Sequence, residues 1–138
     1  MYRKSLLVLL LSALSLGFQG CGSDSTGPDE PDWVGSYALE TVEGSALPVV
    51  LLQIGNDKIE VTTGSVTLNE DQTFSTNMTY RVTEAGSVST GSDSQVGSFT
   101  KNGTALRFNY SDGTQDTGSL NGEILTLTSE GVTFVFHQ

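Results

Sequence analysis

Chemistry in this chain would have to come from one imidazole, one thiol or some pairing among 16 acidic side chains. His137 is the single histidine, one residue from the C-terminus and on the polar side of an alternating pattern, where it reads as surface. Serine and threonine abound, yet no Gly-x-Ser-x-Gly elbow is present to present a nucleophile. Glu40, Glu60, Glu70, Asp71, Asp112 and Asp116 could meet across a concave mouth, but no spacing sets two of them at the separation glycoside hydrolysis requires. Asp57, Asp71 and Asp112 fall in oxygen-rich turns that lack the spaced ligands of an EF-hand, so turn formation accounts for them better than calcium. One Cys and one His cannot assemble a zinc cage. The expectation is a protein that is not an enzyme, with no catalytic residue, no cofactor and no metal.

The thiol belongs to Cys21, and its surroundings give it a different role. Arg3 and Lys4 precede an almost wholly apolar run from Leu6 to Phe18, and Gln19 and Gly20 then lead to the Cys. Positive, apolar, small is the order of a secretory signal, and the run is shorter than the roughly 20 residues a membrane-spanning helix needs. The segment Phe18-Gln19-Gly20-Cys21 resembles the lipobox of bacterial lipoproteins. Gly20 and Cys21 fit that pattern, whereas Phe18 and Gln19 stand where Leu and a small residue are usual. The resemblance implies a signal peptide over 1–20 and a Cys21 that carries acyl chains such as palmitate. The alternative is an ordinary signal peptide that leaves a free thiol. Gly22, rather than Asp, follows the Cys, which by resemblance to enterobacterial sorting implies the outer membrane.

Residues 21–32 then read as a flexible acidic linker, with two prolines and no apolar side chain after the Cys. Its reach is at most about 35 Å. The whole chain carries a net charge of −10, which becomes −12 once Arg3 and Lys4 leave with the signal. That field repels phosphate backbones and excludes nucleic acid as a partner.

From Trp33 on, alternation with period two replaces any helical period, and turn residues recur every eight to twelve positions. The pattern predicts nine strands, at about 33–43, 48–54, 58–69, 73–83, 95–101, 104–110, 114–120, 123–129 and 131–137. Asn102-Gly103, Asp112-Gly113, Asn121-Gly122 and Glu130-Gly131 suit tight hairpin turns, so consecutive strands should be antiparallel neighbours. Leu106, Phe108 and Tyr110 share one face of their strand, and Val132, Phe134 and Phe136 share one face of theirs. One apolar face per strand and the liability of open edges favour closure. The fold expected is all-β, an antiparallel up-and-down meander closed into a barrel of eight to nine strands over 33–138, with Gly35 and Gly97 at sharp bends and Trp33 plugging the bottom.

Gly35-Ser-Tyr-Ala-Leu39, Val42-Glu-Gly-Ser-Ala-Leu-Pro48, Gly64-Ser-Val-Thr-Leu68, the Gly97-Ser-Phe strand and Gly118-Ser-Leu-Asn-Gly-Glu-Ile-Leu-Thr-Leu127 resemble the small lipocalin-like domain of bacterial lipoproteins. The resemblance implies a barrel of about eight strands and carries over no functional residues. Such a barrel is just wide enough to be filled by its own side chains or to hold one small ligand. A binding module for a small apolar ligand is therefore expected, lined by Tyr37, Tyr80, Phe108 and Tyr110, with Arg81 and Arg107 as the cations that would orient an anionic or apolar ligand. The alternative is a filled-core structural or interaction lipoprotein that meets an envelope protein through its acidic surface or a loop from Glu84 to Ser94.

Overall fold

In the computed structural model, which describes residues 31–138, the chain is all antiparallel sheet. The signal segment, Cys21 and most of the linker lie outside the described residues. The strands are β1 (Gly35–Val42), β2 (Ser45–Ala46), β3 (Val49–Ile54), β4 (Asp57–Leu68), β5 (Thr73–Glu84), β6 (Ser87–Asn102), β7 (Ala105–Tyr110), β8 (Gln115–Asn121), β9 (Ile124–Ser129) and β10 (Val132–His137). Each pairs with its neighbour in sequence from β3 through β10, β10 returns to β1, and β1 pairs β4 over Gly35–Ala38 against Leu68–Ser65. That last pairing closes an eight-stranded barrel from β1 and β4–β10, with β2 and β3 as additions.

β4 serves two partners along one edge. Asp57–Val61 pairs β3, Ser65–Leu68 pairs β1, and a bulge between Val61 and Thr63 separates the halves. Thr62 sits in that bulge and donates its hydroxyl to the Thr79 carbonyl at 3.1 Å. An extra residue bends a strand and increases its twist. The first half of β4 is thereby freed from the barrel wall and joins β3 and the far ends of β5 and β6 in a four-stranded flap.

The expected strands are found, with two differences. β2 is a two-residue strand that sequence alternation cannot register. More consequentially, the segment from Glu84 to Ser94 is not a loop: β6 starts at Ser87 and pairs residue for residue with β5, from Glu84↔Ser87 to Asn77↔Ser94. Its Ser- and Gly-rich composition imitates a loop, but Ala85 and Gly86 at φ 49° and 81° form a two-residue turn whose twist matches the strands, and β5 supplies a complete ladder.

The core fills one end of the barrel. Tyr37, Phe74, Phe99, Phe108, Leu125 and Phe136 are essentially solvent-free there. Phe74 meets Phe108 and Tyr110 edge-on at 5.0 and 5.1 Å. Trp33 stands edge-on to Phe99 at 5.4 Å, and its carbonyl accepts the Tyr37 hydroxyl at 2.8 Å, so the chain enters the barrel by covering its filled end. Such aromatic pairs add roughly 0.5–1.5 kcal/mol each beyond the area they bury.

Candidate functional site

Inward positions shrink and turn polar toward the opposite end. On β5 the inner face runs Phe74, Thr76, Met78, Tyr80, and on β6 the register sets Gly97, Gln95, Asp93 and Gly91 opposite these four in turn. β8 runs inward from Leu120 through Gly118 to Asp116, and β9 from Leu125 through Leu127 to Ser129. What the small residues leave is a cavity of about 190 Å³ at the mouth. Val66, Met78, Leu127 and Phe134, with Phe136 as the floor shared with the core, make its apolar wall, and Ser65, Thr76, Gln95 and Ser129 its uncharged polar one. Tyr80, Tyr110, Asp93 and Asp116 complete the lining.

The electrostatics of this mouth are visible in its tyrosines. Burial first, and then the charge of Asp93, raises the Tyr80 hydroxyl above its ordinary pKa. Tyr110 is raised much further, by burial and then by the carboxylate of Asp116 that its hydroxyl faces. Both phenols stay neutral and can donate hydrogen bonds at physiological pH.

Tyr80 and Asp93 also border a shallow depression over Ile59, Val82 and Gly91 on the inner face of the flap. Further out, Leu52, Ile54, Ile59 and Val82, together with the polar Asp57, Lys58, Thr83 and Glu84, line a groove of about 260 Å³, with Ile54 70% exposed. An apolar track thus runs from the flap into the cavity.

Of the residues expected to line a pocket, the structure brings Tyr80 and Tyr110 together at the mouth. Tyr37 and Phe108 are packed in the filled half, both at 0% exposure. Arg81 and Arg107 belong to the outer surface, since they alternate with the inward Tyr80 and Phe108. Arg81 donates from Nε to Glu60 Oε2 at 2.9 Å, and Lys58 approaches the other oxygen at 3.2 Å. The Arg81 hydrogen bond holds the Glu60 carboxyl below its usual range. Arg107 lies exposed opposite Thr100 and Thr117. Alternation gives the side of each residue but not its height along the barrel, and for the two arginines ordinary outward placement between inward residues suffices.

Asp93 lies beyond the expected start of its strand at residue 95, and Gln95, at that start, is polar and gives the alternation no contrast. Counting by twos from Phe99 reaches both. The turn carboxylates, in contrast, are occupied: Asp71 Oδ1 accepts from the Thr73 amide and hydroxyl at 3.0 and 2.6 Å, and Asp112 Oδ1 from those of Thr114 at 2.8 and 2.6 Å. Asp57 Oδ1 accepts from the Ala85 amide at 2.8 Å and so ties the β3–β4 turn to the β5–β6 turn. His137 lies 3.8 Å from Glu123, away from the mouth. Among the described residues no group of three or more His, Cys, Asp or Glu could hold a metal ion.

No protein-family model and no curated protein sequence matches the chain. Among solved structures, it is similar to the crystal structure of the Cpx pathway activator NlpE from Escherichia coli, at 20% identity and a TM-score of 0.43. The match covers 69% of this chain and 42% of that one, so the chain spans less than half the length of that protein.

Proposed function

We propose that the protein is a lipoprotein of the bacterial cell envelope, tethered through Cys21 to the outer membrane, whose lipocalin-like barrel holds a small, largely apolar molecule without transforming it. The observation that carries this reading is the division of the barrel: one end is packed with aromatic rings, while the other keeps a cavity of about 190 Å³ joined to an apolar track on the flap. Ligand pockets are typically concave, mainly apolar and fitted with a few placed polar groups. This cavity is smaller than the usual range of about 300–1,000 Å³, which suits a ligand seated partly in the mouth and partly on the flap. The tether would enter beside Trp33, at the filled end, and leave the mouth facing away from the membrane.

Titration with the neutral fluorophore N-phenyl-1-naphthylamine tests the reading. Saturable one-to-one binding, weakened by Tyr80→Ala and by filling the cavity with Val66→Trp while the circular dichroism stays unchanged, is expected. A second reading, an interaction protein with no small ligand, is favoured by β3, where Val50, Leu51, Leu52 and Ile54 are exposed on a strand paired along one edge only. Absence of saturable binding, together with a protein partner whose association Leu52→Lys abolishes, would establish that reading instead.

A further inference from the structure

We infer that the molecule held in the mouth carries a positive charge, an organic ammonium or guanidinium group drawn to the carboxylates of Asp93 and Asp116 in the cavity lining, with its apolar part over Tyr80 and the inner face of the flap. The inference rests on the binding reading above and names the class of ligand for the same cavity. It reverses the orientation expected from the sequence, in which Arg81 and Arg107 would have drawn an anion.

The first ground is the sign of the lining. Asp93 comes from β6 and Asp116 from β8, so both sit on rigid strands, and among the described residues no Lys, Arg or His lines the cavity. The cations are engaged elsewhere. Lys58 and Arg81 neutralise Glu60, Lys101 donates to the Gly103 carbonyl at the filled end, Arg107 lies outside, and His137 faces Glu123. Neither Asp93 nor Asp116 has a salt-bridge partner among the described residues. Two carboxylates without counter-charge at one mouth, Asp93 exposed and Asp116 half-buried, repel an anion and favour a cation.

A second ground is what surrounds them. Tyr80 and Tyr110 bring aromatic rings, which attract a cation, into the lining, and Gln95, Thr76 and Ser129 offer oxygens for the remaining N–H groups of an ammonium. The apolar stretch from Tyr80 to Val82 and Ile59 gives an attached hydrocarbon or ring somewhere to lie. A bare inorganic cation would leave that surface unused. The net charge of −10 steers cations toward the whole body, and the mouth is where they could also bury apolar area.

The experiment compares three probes of one shape on the full chain by saturation-transfer NMR and calorimetry: phenethylamine, phenethyl alcohol and hydrocinnamate. The amine should bind at least about tenfold tighter than either other probe, a difference of roughly 1.4 kcal/mol. In Asp93→Asn/Asp116→Asn that preference should vanish while the alcohol binds as before. Should the double variant fold poorly, salt supplies the same information on the wild type. Raising it from about 10 mM to about 1 M shortens the screening length from about 30 to about 3 Å and should erase most of the amine's advantage. Equal binding of all three probes, or preference for the carboxylate, would overturn the inference and leave the binding reading standing. No binding of any probe would overturn both, and displacement of the amine by stoichiometric calcium would reassign the mouth to a metal.

Discussion

Replacing Gly97 by alanine should cost this fold more than the same change at Gly64 or Gly91. Gly97 lies on the inner face of β6, between Phe74 of β5 and Tyr110 of β7, at the level where filled core gives way to cavity. A Cβ there would come within 2.8 Å of the Phe74 ring and 2.9 Å of the Asn109 carbonyl carbon, and closer still to the Asn109 oxygen. The carbonyl belongs to the neighbouring strand and cannot rotate away. Phe74 is fixed edge-on against Phe108 and Tyr110, so the backbone itself must move. Overpacking of this kind costs about 1–3 kcal/mol, and a clash with backbone belongs at the upper end. Alanine recovers about 0.4–1 kcal/mol by restricting the unfolded chain. A net loss of about 2 kcal/mol should lower the midpoint of thermal unfolding, followed by circular dichroism, by roughly 8–16 °C. Two glycines calibrate the result. At Gly64 the nearest atom is the sulfur of the flexible Met78 side chain, with Leu39 Cδ2 and Cβ at 3.0 and 3.1 Å, and no backbone carbonyl stands in the way, so Gly64→Ala should cost less than Gly97→Ala. At Gly91 it meets nothing within 4 Å, and Gly91→Ala should be neutral or slightly stabilising. Equal midpoints for the Gly97 and Gly91 variants would refute the close approach on which the argument depends.

Phe108→Asp, which leaves an unpaired charge in the filled half, should cost several kcal/mol by chemical denaturation, about 3 or more, whereas Asn109→Asp on the opposite face should cost under about 1; similar losses would mean the faces are misassigned. The Thr73 and Thr114 hydroxyls hold the carboxyls of Asp71 and Asp112 below their ordinary value of 3.8. Depressed folded-state values give stabilisation that is complete above the unfolded carboxylate's titration and is lost as the pH falls through the folded one, so Asp71→Asn/Asp112→Asn should flatten the loss of stability below about pH 4, and an unchanged acid limb would count against these turns. Cys21→Ser should release the protein from the membrane fraction or leave its signal uncut; a wild-type protein that fractionates as soluble with an unmodified mature thiol would dispose of the tether.

Legibility in the sequence followed the strength of the local code. Where large apolar residues alternate with threonine and serine, as in Leu106-Arg107-Phe108-Asn109-Tyr110, the inner face could be named outright, because one wrong register would have exposed every ring. Where the inner face is itself polar, alternation loses its contrast. In Ser87-Val-Ser-Thr-Gly-Ser-Asp-Ser94 the most hydrophobic residue, Val88, points outward at 64% exposure, and the inward positions are Ser, Gly and Asp. Composition there imitates a loop, and only the ladder with β5 makes it a strand. The polar part of the lining, Asp93 and Gln95, is illegible for the same reason as the strand, since residues that spare a cavity are by necessity not core residues.

The graded interior connects the fold to the proposed chemistry. Were every inward position as large as Phe74, Phe99, Phe108 and Phe136, an eight-stranded barrel would close on itself and present only a surface. Smaller residues at the mouth, Thr76, Gln95 and Ser129, open volume but remove apolar area, which a domain of this size can spare only if the other half is densely packed. The aromatic plug capped by Trp33 is therefore the condition for the cavity rather than its competitor. Charge follows the same logic. Asp93 and Asp116 are tolerated on inward positions because the mouth is open to solvent, with Asp93 exposed and Asp116 half-buried, and a ligand that covers them must replace the solvation of two carboxylates. A cation with an apolar body can do so. An anion or a bare hydrocarbon cannot.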